Sequence, residues 1–430
     1  MWQTIVNAFK IKEVRRKILI TIALLFVYRL GCNIPVPGIS KETFGVEGYT
    51  FLELMSAVSG GALQYGKLFA MGIGPYINAS IIIQLLTVAI PALERLSKQG
   101  EEGRRKINTY TRILTLILAI AQAIGILVAF KDGVDTDAIF GSTGFLKFLS
   151  FAFLVIVYTA GACFTMWLGE RITDYGVSNG ISMLIFAGIL STAGTTILGL
   201  IQNLVSGTDT ASSAWGLVAF IIAAIVIFAA IVTVECAERK IPVQYAKQVK
   251  GRKMYGGQST HIPIKVNATG VMPLIFAYSI LSFPDLIMNL FGVATANTWW
   301  GKHMGTGTWL YMVVLCLLIL FFAYFYNQIQ FNPDDVSKSI QGNGGFIPGT
   351  RPGKPTADYL RRVSNRITLF GAIFLAIVAL VPSLIFKAIN ISLMNVFSAT
   401  GLLIIVSVAL EFDQALQSQI MMKNYKGFLK

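Results

Sequence analysis

Long apolar runs alternate with short charged segments along almost the whole chain, and the runs set the architecture. Ten of them are read as spans, at about 18–33, 68–90, 113–130, 146–169, 181–203, 215–235, 270–291, 308–327, 367–386 and 393–410. Crossing hydrocarbon takes about 20 helical residues, with some latitude for tilt. One stretch breaks the rhythm: Phe51 to Pro91, FLELMSAVSGGALQYGKLFAMGIGPYINASIIIQLLTVAIP. Its first piece, 51–63, is apolar but too short to cross, and Gly60-Gly61 falls near its end. Its second, Leu68 to Ile90, is long enough, yet Gly72, Gly74 and Pro75 interrupt the start. Irregular backbone at membrane depth survives only where protein buries it or where it lines a watery cavity. The stretch is therefore expected inside a bundle, beside a pore or substrate path. The alternative is an ordinary helical hairpin with a proline kink.

Composition agrees with a polytopic membrane protein. Of 430 residues, 55% are hydrophobic and only 13% charged, against about 25% charged in a soluble domain. A net charge of +14 invites a nucleic-acid partner, but the cations lie between apolar runs, as topology signals do. On the side of the N-terminus, segments 10–17, 95–112, 171, 239–265, 338–366 and 423–430 hold 28 of the 35 Lys and Arg. The opposite side holds 6, and Arg29 lies within the first span. Both termini and the long loops are thus expected on the cytoplasmic side.

Residues 1–17 form the first region. Trp2, Ile5, Val6 and Phe9 share a helical face, and Lys10, Lys12, Arg15, Arg16 and Lys17 follow. That pattern suits a helix lying on anionic lipids. The next run carries no small-residue cleavage signal and leads into Pro35-Val36-Pro37-Gly38, so it is expected to remain as a span. Residues 18–203 read as an N-terminal half, 204–410 as a C-terminal half with cytoplasmic loops 235–269 and 328–366, and 411–430 as a cytoplasmic tail. Five spans per half would give the halves inverted topology.

Candidate chemistry is sparse. No Asp or Glu lies in the body of a span: Glu170, Glu235 and Glu411 fall at cytoplasmic ends and Asp285 at an external end. Intramembrane carboxylates mark ion and proton relays, so an ion-coupled transporter is disfavoured, though one binding ions through carbonyls stays open. His261 and His303 lie in loops on opposite sides, and no metalloprotease, P-loop or nucleophile-elbow motif occurs. Neither an enzyme nor a cofactor is expected. Cys32, Cys163, Cys236 and Cys316 are scattered, with no C-x-x-C pair. What remains inside is isoleucine and a few amides. Ile73 and Ile77 share a helical face, as do Ile181 and Ile185. Asn78 and Gln84 are polar in an apolar helix, where interhelical hydrogen bonding is their ordinary role.

Several long words resemble the SecY family, the channel subunits of the protein-export translocon. They are YRLGCNIPVPGI at 28–39, SGGAL at 59–63, GIGPYINASIIIQLL at 72–86, EEGRRKINTYTR at 101–112, MWLGERITDYGVSNGISMLIFAGI at 166–189, YAKQVKGRKMYGGQSTHIPIKVN at 245–267 and FIPGTRPGKPTADYL at 346–360. The resemblance implies an all-α polytopic membrane protein with ten transmembrane helices in two inverted five-helix halves and a re-entrant plug helix. It implies a waist of apolar side chains at Ile73, Ile77, Ile181, Ile185, Ile275 and Ile404. The plug would be 51–63, with Phe51, Leu54, Met55, Ser59, Gly60, Gly61 and Leu63 its named positions. A lateral gate to lipid would carry Asn78, Gln84 and Asn267. Arg239, Lys240, Arg252, Lys253 and Arg351 match a docking surface for the ribosome and the SecA motor ATPase.

The same likeness implies SecE and SecG as membrane subunits, signal sequences and unfolded secretory or membrane-protein chains as cargo, and a place in the bacterial cytoplasmic membrane. Two positions depart from the pattern. Gly74 stands where other members often carry a larger apolar residue, and Lys240 replaces an arginine common in the basic pair.

Overall fold

A backbone in hydrocarbon must satisfy its own hydrogen bonds, so the apolar runs become helices. The computed structural model describes residues 2–427 except 40–54, 57, 131–133, 136–138, 142, 206–211, 246–247, 251–252, 256–258, 268, 291–297, 306–307 and 390–398. In chain order come α1 (Trp2–Lys10), α2 (Lys12–Gly31), α3 (Gly74–Ala89), α4 (Pro91–Lys98), α5 (Glu101–Ala129), α6 (Gly144–Tyr175), α7 (Gly180–Val205) and α8 (Ser212–Glu235). Four strands follow, β1 (Glu238–Tyr245), β2 (Gln248–Lys250), β3 (Lys253–Tyr255) and β4 (Ser259–Lys265). The chain continues as α9 (Met272–Leu290), α10 (Trp299–Met304), α11 (Trp309–Gln330), α12 (Pro333–Gly342), β5 (Gly345–Phe346), α13 (Lys354–Ile389) and α14 (Ala399–Gly427).

Among the described residues, four helical stretches are long and apolar enough to cross a membrane: Glu101–Val128, Gly144–Tyr175, Trp309–Gly342 and Lys354–Val381. A fifth candidate is the pair α3 and α4, bent by 102°. The bend has a local cause. Ile90 precedes Pro91 and sits at φ −106°, ψ 113°, extended rather than helical, because the proline ring clashes with a helical residue before it. Pro91 then opens α4, where a missing N–H costs nothing. Two helices start well before their apolar runs. α5 begins at Glu101, in a charged turn laced by Glu101–Arg105 at 3.2 Å and Glu102–Lys106 at 3.8 Å, and α13 begins at Lys354.

The chain divides into two units. The first comprises residues 1–214, 279–308 and 391–430, the second 215–278 and 309–390. In the first, α6 packs on α2, α3, α5 and α7, and α14 packs on α7 and on α1. One of its cores joins Met55, Leu63, Ala70 and Met71 to Ala119, Ala123, Leu127, Leu154 and Tyr158. A smaller one ties Ala8, Val14 and Ile18 to Val177 and Leu416.

In the second unit α11 packs on α13, and the loop after α8 is a sheet. β1 pairs antiparallel with β4, Ile241 facing Ile262, and on its other edge with β5. Its core is Ile241, Val243, Ile264, Ile340, Ile347 and Leu360. Alternation along β1 explains the burial: Ile241 and Val243 point inward while Lys240, Pro242 and Gln244 face out.

Candidate functional site

The chain between α2 and α3 decides what the first unit can do. Its last part, 66–73, is pinned to α6 by small residues and hydroxyls. Tyr158 donates to the Gly66 carbonyl at 3.0 Å, and Thr165 donates to that of Gly72 at 2.7 Å. A methyl on Gly161 would collide with the Leu68 carbonyl. Phe69 stacks on Tyr28 of α2 and Phe164 of α6, over the bare face of Gly31. Gly72 sits at φ +51°, a conformation that side chains resist. The chain turns there, and α3 starts two residues later.

The short segment before it is seated on this break. Ser59 is fully buried; its amide donates to Met55 O at 2.9 Å and its hydroxyl to Ser56 O at 3.1 Å. Gly60 and Gly61 take φ of +68° and +81°, and Leu63, fully buried, anchors the far end. Two contacts set the position. The Met55 side chain occupies the space a Cβ on Gly74 would need, and Ser59 Cβ lies 3.4 Å from where a Gly72 Cβ would be. Met55 and Ser59 therefore seat on the two glycines that bracket Ile73. A larger residue at Gly74 would evict Met55.

The opposite wall is α7. A methyl on Gly188 would strike the carbonyl oxygen of Val58, whose other neighbour is the Tyr28 hydroxyl, donating at 3.3 Å. Ile181, Ile185, Gly188 and Ser191 recur at helical spacing and share a face. Ile73 and Ile181 converge on Gly169 of α6: a Cβ there would lie 3.5 Å from Ile73 Cδ1 and 3.4 Å from Ile181 Cγ1. Ile73, Ile185 and Ile404 are buried, Ile77 and Ile181 half-buried. Ile404 is carried by α14, which packs on α7. Ile275, half-buried at the start of α9, belongs to the second unit.

The amides separate. Asn78 is buried on α3, while Gln84 is exposed and donates to Ser80 on its own helix at 3.3 Å. Asn267, in the second unit, is buried; it donates to the Glu235 carboxylate at 2.7 Å and accepts from Thr269 at 3.4 Å. Arg239 and Lys240 are both exposed at the start of β1, on opposite faces of the strand, Lys240 reaching Glu238 at 3.2 Å. Lys253 lies on β3, opposite Lys250. Arg351 is exposed, in a turn fixed by Gly349 and Gly353 at φ of +86° and +95° and by Thr356 donating to its carbonyl at 2.7 Å. Phe51, Leu54 and Arg252 lie outside the described residues.

Sequence reasoning passed over Gly161, Gly169 and Gly188 on α6 and α7. Small residues in apolar helices often mark close backbone approach, but which chain approaches each one is decided by the packing. Sequence reasoning also gave Arg29 no role, although the guanidinium bonds Ser191 of α7.

The chain is similar to known proteins. The SecY family model matches residues 67–412. The protein translocase subunit SecY of Mycobacterium bovis is 40% identical, with 100% of both chains covered. That of Streptomyces galbus is 41% identical over 99% of each. A solved protein-conducting channel superposes with TM-score 0.66 at 21% identity, over 94% of this chain and 92% of that one. Sec61 from the canine ribosome-channel complex gives 0.63 at 19% identity, with 94% and 92% covered. At those identities the solved structures speak for the fold: mostly helical, with several apolar helices.

Proposed function

The chain belongs to the SecY family, and from that premise we propose that it is the protein-conducting subunit of a secretory translocon, resting in a sealed state. The observation that carries this reading is the seating of Met55 and Ser59 on Gly74 and Gly72, either side of Ile73. A movable apolar segment stoppers a neck of Ile73, Ile77, Ile181, Ile185, Ile275 and Ile404. A narrow apolar neck resists wetting, so ions meet a large desolvation cost. Flexible aliphatic side chains can still close around a passing unfolded chain.

The full architecture in this reading is ten transmembrane helices in two inverted halves, with both termini cytoplasmic in a bacterial inner membrane. Asn78, Gln84 and Asn267 border a lateral gate through which apolar segments leave for lipid, sorted by hydrophobicity. The exposed cations Arg239, Lys240 and Arg351, with Arg252 and Lys253, receive the ribosome and the SecA motor, which supply the driving energy. Contact with ribosomal phosphate should weaken with salt. SecE and SecG flank the channel, signal sequences open it, and α1 rests on anionic lipid.

The test is resting conductance in planar bilayers. Replacing Ile73, Ile77 and Ile404 together by Ser should raise ion leak severalfold without any cargo. Unchanged conductance would contradict the neck.

A further inference from the structure

Arg29 is the lone Lys or Arg assigned to the interior of a span, and its surroundings are unequal. Its Nη2 donates to the Ser191 hydroxyl on α7. The Cys32 side chain also bonds the guanidinium, but Nη1 itself is buried and has no hydrogen-bond partner among the described residues. What covers Nη1 is the hinge of the seated segment: a Cβ on Gly60 would fall on it. Gly60 also lies against the Gly188 carbonyl, 3.3 Å from that same Cβ position. Ser191 is one turn beyond Gly188 on the face that carries Ile181 and Ile185. The cation therefore stands behind the stopper, half satisfied by the wall and half smothered by the hinge.

We propose that Arg29 sets the readiness of the channel to open, because the seated plug buries one of its charged N–H groups without a partner and the displaced plug returns that group to water. This rests on the sealed-channel reading above. A charged donor left unpaired in a dry site is costly, and the cost is borne only in the closed state. It opposes the apolar contacts of Met55 and Leu63, so the seal is held less firmly than packing alone would hold it. Arg29 is a positioning residue here, acting through the stopper it touches.

Three variants separate this from a structural role, using the assembled translocon in planar bilayers with a synthetic signal peptide. Arg29→Met keeps the volume but removes the smothered charge, so openings should become about tenfold rarer, the order expected for one buried unpaired charged donor. Arg29→Lys keeps the charge and should return openings to the wild-type frequency. Ser191→Ala strips the second partner from the guanidinium and should make openings more frequent, an effect absent when combined with Arg29→Met. In a chain lacking residues 51–61, Arg29→Met should change nothing.

Openings at or above the wild-type frequency in Arg29→Met overturn the proposal, as does the same change with the segment removed. If Arg29→Met fails to assemble, Ser191→Ala alone decides, and fewer or equal openings overturn it. A chain lacking 51–61 that seals as well as the whole one defeats the sealed-channel reading itself. A leaky one with normal Arg29→Met openings defeats only the role of Arg29.

Discussion

Two regions of the molecule are held together by different physics. The seat of the 55–63 segment is set by glycines and backbone: Gly72, Gly74 and Gly188 let Ser59, Met55 and the Val58 carbonyl come close, and Met55 and Leu63 join the apolar core beside it. The sheet of the second unit has a small water-driven core of Ile241, Val243, Ile264, Ile340, Ile347 and Leu360. Close backbone approach gives good van der Waals fit at short range and loses it after a small displacement. Burial of six aliphatic side chains from water is held over a longer path and contributes about 1.5–3 kcal/mol for each fully buried one. In the function proposed above, the first kind of contact suits a seal that must release, and the second a platform that must take load.

The largest expected effect breaks the seat. Gly188→Val puts two methyl groups where the Val58 carbonyl lies, and a carbonyl cannot rotate away as a side chain tip can. Resting conductance should rise at least tenfold, while the circular dichroism of the purified complex stays unchanged. Next comes the platform. Leu360→Ala removes a fully buried side chain and should cost about 2–5 kcal/mol of local stability. Proteolysis within residues 235–269 and 328–366 should accelerate, and the resting seal should hold, which separates the two regions. Smaller again is Arg351→Glu. The turn around it is fixed by Gly349, Gly353 and the Thr356 bond rather than by its side chain, so stability should shift by less than about 0.5 kcal/mol. Motor-driven export should fall more than co-translational insertion; equal loss of both would contradict a motor contact.

The two regions were also unequally legible in the sequence. The break at Gly72-Ile73-Gly74-Pro75 and the hinge at Gly60-Gly61 could be read directly, because glycine and proline state backbone demands without needing a partner. The isoleucines at 73, 77, 181 and 185 could be paired by spacing alone. Gly169 and Gly188 could not be given a role that way, since what a helical glycine admits depends on which chain packs over it. The sheet was legible in retrospect: Ile241 and Val243 alternate with polar neighbours, but the density of Lys and Arg drew attention to charge instead. The sharp bend at Ile90 was announced by Pro91 and went unremarked because the apolar run ended there anyway. Arg29 was the hardest. A cation near the outer end of a span usually snorkels to water, and only the packing of α7 and Gly60 turns it inward.

The most direct measurement is a reversible lock. Ser59 Cβ and the position of a Gly72 Cβ are 3.4 Å apart, close to the separation of about 3.8 Å that a disulfide needs. In a chain whose own four cysteines are replaced, Ser59→Cys with Gly72→Cys should cross-link on oxidation, with Gly72→Ala as the control for the strain a side chain brings at φ +51°. The oxidised channel should then neither conduct with a signal peptide nor export a precursor, and reduction should restore both. Export at the wild-type rate through the fully cross-linked channel would contradict the claim that the seated segment is the seal.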